Sequence, residues 1–455
     1  MKQESQNKRE GFSSSIGVIA AVLGSAVGLG NIWKFPYVTG ANGGAAFILV
    51  YLVCLALVGL PVMLSEHLIG RATKSNAVGA FKKLQPRRPW FLVGGAGVIS
   101  AFLIMAFYTT VVGWVYAYIF KSASGALLTN KPQQTTQVFN SLISGVAEPL
   151  FWQVLVLIVI GIIIMAGVTK GIERVTKFLM PMLFILLVII DIRSLSLPGA
   201  SSGLAFLFKP DFSKITVSAI LAALGLAFFK LSVGMGAMIT YGSYVDKQEN
   251  LPKMAVKVAL SDTLVSLMAG IAIFPAVFAF GFEPKAGPPL LFIIIPTVFN
   301  SMPLGRIFMV LFFLLTAFAA TGAMLSLLEV PIAYFTEEYQ WSRRKATLIT
   351  IVGIGLLGST ATLSNSVLSN VLIFGKTFFD FFDFATSNVL LPLGGIFIAL
   401  FAGWQWGYAN VKREMTNEGQ LRNEGLFKVY IVLVRYLVPI AIAIILLTGL
   451  NIIHI

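Results

Sequence analysis

Apolar residues run along the chain in long blocks, separated by short polar clusters. Blocks near or beyond about 20 residues are long enough to cross a bilayer as helices. Eleven helical spans are predicted: 12–38, 42–70, 90–120, 150–168, 176–195, 216–243, 255–281, 305–337, 345–363, 376–405 and 428–452. The connections 121–149, 196–215 and 282–304 are longer and richer in Ser, Gly and Pro. They read either as cover for a vestibule or as plain connections. Residues 406–427 read as a polar link, and no soluble domain or low-complexity tail stands out.

Two apolar blocks are interrupted in the same way. The first carries Gly24-Ser25-Ala26-Val27-Gly28-Leu29-Gly30-Asn31, and the sixth carries Ser232-Val233-Gly234-Met235-Gly236. Glycine weakens a helix, and a helix in lipid must bond its own backbone groups. A break there is tolerable where the freed N–H and C=O groups face a cavity or a ligand. Small residues also serve close helix packing, which is the plain reading of one such motif. A matched pair in corresponding segments points instead to the central binding site of a transporter.

Composition agrees. The 455 residues are 57% hydrophobic and 11% charged, with a mean hydropathy of +0.87. Soluble domains carry roughly 25% charged residues, so the chain reads as an all-α integral membrane protein. The net charge of +14 does not indicate nucleic-acid binding, because the basic residues fall in alternate loops. One set holds Arg71, Lys74, Lys82, Lys83, Arg87 and Arg88, and continues through Lys170, Arg174, Lys247, Lys253, Arg343, Arg344, Lys412 and Arg413. This bias predicts a cytoplasmic N-terminus and, with eleven spans, an extracellular C-terminus. The polar start, Met1–Glu10, does not read as a cleavable leader. Cys54 stands alone in an apolar run, and no disulfide is expected.

The run from Gly24 through Asn31 to Ile32-Trp33-Lys34-Phe35-Pro36-Tyr37, followed by Asn42-Gly43-Gly44-Ala45-Ala46-Phe47, resembles the neurotransmitter:sodium symporter family. Similar support comes from Glu66 with Gly70-Arg71, Tyr108 with Gly113-Trp114, Ala227 to Ser232, Thr240 to Tyr244, Asp262-Thr263, Leu327-Leu328-Glu329 and Asp383-Phe384. The resemblance covers essentially the whole chain. It implies one transmembrane domain, 1–455, with the LeuT-type fold: inverted repeats at about 12–195 and 216–405, unwound spans 1 and 6, and an extra span at 428–452. It also implies amino-acid transport, as in bacterial members of the family.

Carried over residue by residue, the resemblance implies a zwitterion site. The N–H groups of Leu29 and Gly30 and the Tyr108 hydroxyl would hold the carboxylate. Carbonyls of Ala26 and Phe229, with Ser232, would hold the ammonium. Ile104, Phe229, Met235, Met324, Ser326 and Leu327 would line the side-chain pocket. That lining has no charge, so neutral apolar substrates such as leucine, isoleucine, valine or methionine are expected.

The chain departs from the family where sodium binds. For the first ion, Ala26 and Asn31 match, but a span-6 hydroxyl is replaced by Lys230 and a span-7 amide by Asp262. Lysine offers donors and no acceptor, so an ion pair in the place of the sodium is expected. For the second ion, the Gly24 and Val27 carbonyls remain, while the hydroxyl pair falls on Gly322 and Ala323. Thr321, one position away, is a possible substitute. The expectation is sodium-independent transport with H+ as the coupling ion through Lys230; sodium coupling at a displaced site, uncoupled exchange and sensing without transport stay open. Ser266 matches the chloride-site serine of animal relatives, and the charge of Asp262 makes chloride unnecessary. The resemblance gives Glu66 the task of bracing the unwound first span. His67 reads as a packed neutral residue.

For the gates, the resemblance pairs Lys34 with Asp383 outside, with Phe229 over Tyr108 as a lid and Leu226 in place of a supporting Gln. Inside it pairs Arg9 with Glu337, with Tyr244 beneath. Two histidines and one cysteine, scattered, do not make an enzyme. No organic cofactor or other metal site is expected. A monomer in a plasma membrane would suffice for transport.

Overall fold

The computed structural model describes residues 11–129, 131–281 and 290–453. Among them there is no strand. Among the described residues, nine helices are long and apolar enough to cross a membrane. A bent pair, Ser15–Ala26 and Gly30–Ala41, forms span 1 with a 50° change of direction. Val217–Lys230 and Ala237–Tyr244 form a broken span 6. The continuous spans are Ala45–Thr73, Phe91–Ser124, Ala147–Met165 and Val168–Leu195, then Leu251–Ala279, Gly305–Glu338, Arg343–Asn365, Phe378–Gln405 and Glu424–Gly449.

Spans 3 and 8, 34 residues each, pack along one another. At 1.5 Å per residue each is about 50 Å long, more than the roughly 30 Å of hydrocarbon, so both extend beyond it or tilt. The first half of span 1 packs on spans 5 and 8. The second half of span 6 packs on spans 2 and 8, and its first half lies against the start of span 2. Span 11 packs mainly on span 10 and leaves most of its apolar window to lipid.

The predicted loops hold more helix than expected. Pro132–Ser144 lies in 121–149, Ala200–Phe208 in 196–215, and Leu290–Asn300 in 282–304. Ala77–Leu84 follows span 2, and Tyr408–Met415 lies in the polar link. The helix at Ala77 is started by the Asn76 side chain, whose Oδ1 accepts from the N–H groups of Val78 (2.9 Å) and Gly79 (3.0 Å). Span 5 begins at Val168, not at 176, because the chain turns at Gly167, with φ of +94°, and winds immediately.

Candidate functional site

The two breaks face a common polar centre. In span 1 the helix stops at Ala26, Val27 is extended, and winding resumes at Leu29 through a wide π-helical turn over Gly30–Lys34. Two of the freed N–H groups are met at once. Gly28 N donates to Asn31 Oδ1 at 3.2 Å, and Leu29 N donates to the Tyr108 hydroxyl at 3.1 Å. In span 6, residues 231–236 leave the helix, with φ positive at Ser232 (+52°), Gly234 (+84°) and Gly236 (+77°). A non-glycine residue in that region is uncommon and costs of order 1 kcal/mol, so Ser232 must be held there. Its Oγ donates to the Ser25 carbonyl at 2.9 Å, which joins the two breaks. Ser25 Oγ in turn donates to Ser326 Oγ at 2.7 Å, adding span 8.

The expected ion pair is present. Lys230 Nζ lies 2.9 Å from Asp262 Oδ2, and neither side chain is exposed. Lys230 Nζ also donates to the Tyr51 hydroxyl (3.0 Å) and to Ser266 Oγ, and it faces the Phe35 ring at 4.9 Å. Asn31 Nδ2 donates to Asp262 Oδ1 (2.6 Å), to the Asp262 carbonyl (3.0 Å) and to Ser266 Oγ (3.0 Å). Ser266 Oγ closes the ring by donating to the Asp262 carbonyl at 3.1 Å. The Asn31 oxygen and the Ser266 hydroxyl are therefore committed to neighbours within the protein. A buried ion pair survives in low dielectric only when its remaining polar atoms are met in this way.

At the second ion position, spans 1 and 8 touch. A Cβ added to Gly322 would lie 2.5 Å from the Gly24 carbonyl oxygen, so even one carbon does not fit there. The Thr321 hydroxyl donates to the Ala317 carbonyl of its own helix at 2.8 Å. Val27 is buried.

Tyr108 and Leu29 meet, and Gly30 lies against Phe229 and Lys230, 3.6 Å from each when a Cβ is placed on it. Ala26, Ile104, Met235, Met324, Ser326 and Leu327 are all buried in the surrounding core. The Phe229 carbonyl accepts from Ser232 N at 3.2 Å.

Three expectations are corrected. Glu66 braces span 6, not span 1: its Oε1 accepts from Gly234 N at 2.6 Å. In span 1, Asn31 and Tyr108 take the Gly28 and Leu29 N–H groups instead. Lys34 and Asp383 form no ion pair. Lys34 Nζ sits over the Phe229 ring, 3.9 Å from its centre, while Asp383 Oδ1 accepts from Ser387 Oγ at 2.8 Å. The aromatic face supplies a cation with a partner that needs no charge. The Phe229 and Tyr108 rings make no ring-to-ring contact, so Phe229 is capped by Lys34. Tyr244 bonds to Glu329 Oε1 at 2.7 Å, where Arg343 grips the same carboxylate with two bonds of 3.0 and 2.6 Å. Arg9 lies outside the described residues. Glu337 accepts from the Asn76 backbone and side chain at 2.8 and 3.1 Å. His67 is buried, as expected, with Nδ1 at 2.8 Å from the Met63 carbonyl.

Sequence reasoning missed Tyr51, Ser25, the Glu329–Arg343 pair and Glu173. Glu173 accepts from Ser13 N (2.7 Å), Ser13 Oγ (2.7 Å), Ser14 Oγ (3.1 Å) and Lys177 Nζ (2.6 Å), and so clamps the start of span 1 to span 5. The signal for Glu173 and Glu329 was available: ionisable residues in or beside apolar runs call for a partner. Nothing in the pattern distinguished Tyr51 from its apolar neighbours.

A bundle with two spans broken toward one buried polar centre is the architecture of a secondary transporter. The family description "Sodium:neurotransmitter symporter family" matches residues 9–141 and 130–454. An uncharacterized sodium-dependent transporter of Bacillus subtilis, YhdH, is 42% identical over 97% of this chain and 98% of its own length. A sodium- and chloride-dependent taurine transporter of the dog is 27% identical over 89% of this chain and 72% of its own. The crystal structure of MhsT in complex with L-phenylalanine superposes with a TM-score of 0.89 at 48% identity, covering 97% of this chain and all of that one. The chain belongs to the sodium:neurotransmitter symporter family and has the LeuT-type fold. It is a multi-pass membrane transporter, not an enzyme.

Proposed function

We propose that the protein moves neutral, apolar amino acids by alternating access, with the Lys230–Asp262 pair standing where relatives bind a sodium ion. The observation that carries this reading is the pair itself, at 2.9 Å with both side chains fully buried beside the span-1 break. The Lys230 ammonium would face the substrate carboxylate as the sodium would. The close contact of Gly322 on the Gly24 carbonyl supports loss of the second ion as well. The complex of MhsT with L-phenylalanine supports a pocket that takes large apolar side chains. Opening of the pair in one conformation would let Lys230 release a proton, giving H+ coupling without chloride. The basic loops support a cytoplasmic N-terminus.

Sodium coupling is the second reading, favoured by the name of the Bacillus relative. Uptake of labelled leucine into proteoliposomes separates the two. An inward proton gradient is expected to drive accumulation whether or not sodium is present, and Lys230→Ser to abolish that drive. Accumulation that requires sodium would overturn the ion-pair reading. Saturable exchange that ignores both gradients would keep the amino-acid site and remove coupling.

A further inference from the structure

A groove of about 400 Å³ runs between the start of span 3 and span 10, with an almost wholly apolar lining that includes Trp90, Val93, Leu393 and Phe397. Its size falls within the roughly 300–1,000 Å³ of small-molecule sites. Two further features distinguish it from ordinary lipid-facing surface. The mouth, at Pro89 and Trp90, is preceded directly by Arg87 and Arg88, both exposed. Neither arginine has an acidic partner: Arg88 Nη1 donates to the neutral Gln405 Oε1 at 2.7 Å, and Arg87 makes no bond among the described residues. Behind the groove lies the backbone of the span-6 break. Gly394, in the groove wall, abuts the Gly234 carbonyl, and Gly97, next to the lining Ala96, abuts Gly236.

We propose that this groove binds one anionic glycerophospholipid, with an acyl chain against Trp90, Val93 and Phe397 and the phosphate at Arg87 and Arg88. Two unneutralised guanidinium groups at the end of an apolar slot match a charged head on an apolar tail. A bound chain lies against Gly394, which abuts the span-6 break, so lipid composition bears on the substrate site. This inference does not rest on the substrate or coupling ion proposed above.

Trp90 supplies the probe. The full-length protein is placed in phosphatidylcholine vesicles containing a small fraction of lipid with brominated acyl chains, and quenching in the wild type is compared with Trp90→Phe to isolate Trp90. Brominated phosphatidylglycerol is expected to quench Trp90 in clear preference to brominated phosphatidylcholine, with an affinity ratio of roughly fivefold for each arginine. Arg87→Gln/Arg88→Gln, two surface changes, is expected to equalise the two lipids. Equal quenching in the wild type, a preference that survives in the double variant, or no quenching by either lipid (the groove covered by protein) would each overturn the proposal.

Discussion

The two breaks carry nearly the same sequence and are built differently. Val27-Gly28-Leu29-Gly30-Asn31 interrupts its helix for about two residues without a positive φ, whereas Val233-Gly234-Met235-Gly236, followed by Ala237 as the first helical residue, lies in a six-residue interruption with three. The fifth position accounts for the contrast. Asn31 reaches back to the Gly28 N–H, so the first break satisfies itself locally. Ala237 has no such group, and the matching N–H, at Gly234, takes its acceptor from Glu66 on span 2. A local acceptor lets the helix restart at once. A distant one leaves a longer open segment, shaped by spans 2, 3 and 10. The motif thus dictates that a break occurs, and the residue that follows dictates its length.

The largest effect is expected where the local acceptor is itself anchored. Asp262→Ala frees Asn31 and strands the Lys230 ammonium, which should cost about 3–5 kcal/mol in thermal unfolding. Lys230→Met/Asp262→Leu should recover most of that loss. A double variant as unstable as the single one would show that the unpaired charge is not the cause. Next comes the distant acceptor. Glu66→Ala leaves the Gly234 N–H unmet and should cost about 1–3 kcal/mol, while Glu66→Gln keeps an acceptor oxygen and should lose much less. Equal losses would mean that the negative charge, not the hydrogen bond, supports span 6. The smallest effect tests packing. Gly394→Ala pushes a methyl group onto the Gly234 carbonyl and should cost about 1–3 kcal/mol and weaken leucine binding. Gly95→Ala, in open space on span 3, should leave binding unchanged and gain up to about 1 kcal/mol in stability. Weakened binding in both would indicate that span 3 and span 10 glycines are equally constrained.

The positions of the breaks and the Lys230–Asp262 pair were legible because charged residues and paired glycines stand out against apolar runs. The family motif supplied the spacing that brings span 6 to span 7. What could not be read was direction. Glu66 lies between two breaks in need of an acceptor, and only the folded geometry reveals that it serves Gly234 while Asn31 and Tyr108 serve Gly28 and Leu29. Lys34 had both an acid and an aromatic ring to choose from, and a cation in an apolar setting is served by either. The added helices, such as Pro132–Ser144 and Tyr408–Met415, are short and mixed in polarity, so hydropathy does not separate them from loops.

Arg71 shows how the finished fold constrains its own assembly. Its side chain is 1% exposed, and its three donor nitrogens go to Glu414 Oε1 (2.6 Å), the Glu249 carbonyl (2.6 Å) and the Glu414 carbonyl (2.5 Å). The carboxylate that neutralises it stands 343 residues later, beyond span 10. During synthesis the second span therefore waits with a charged end while most of the remaining chain is made. A nascent chain stopped before Glu414 keeps that corner open to water, and the arrival of the link after span 10 is the event that seals it.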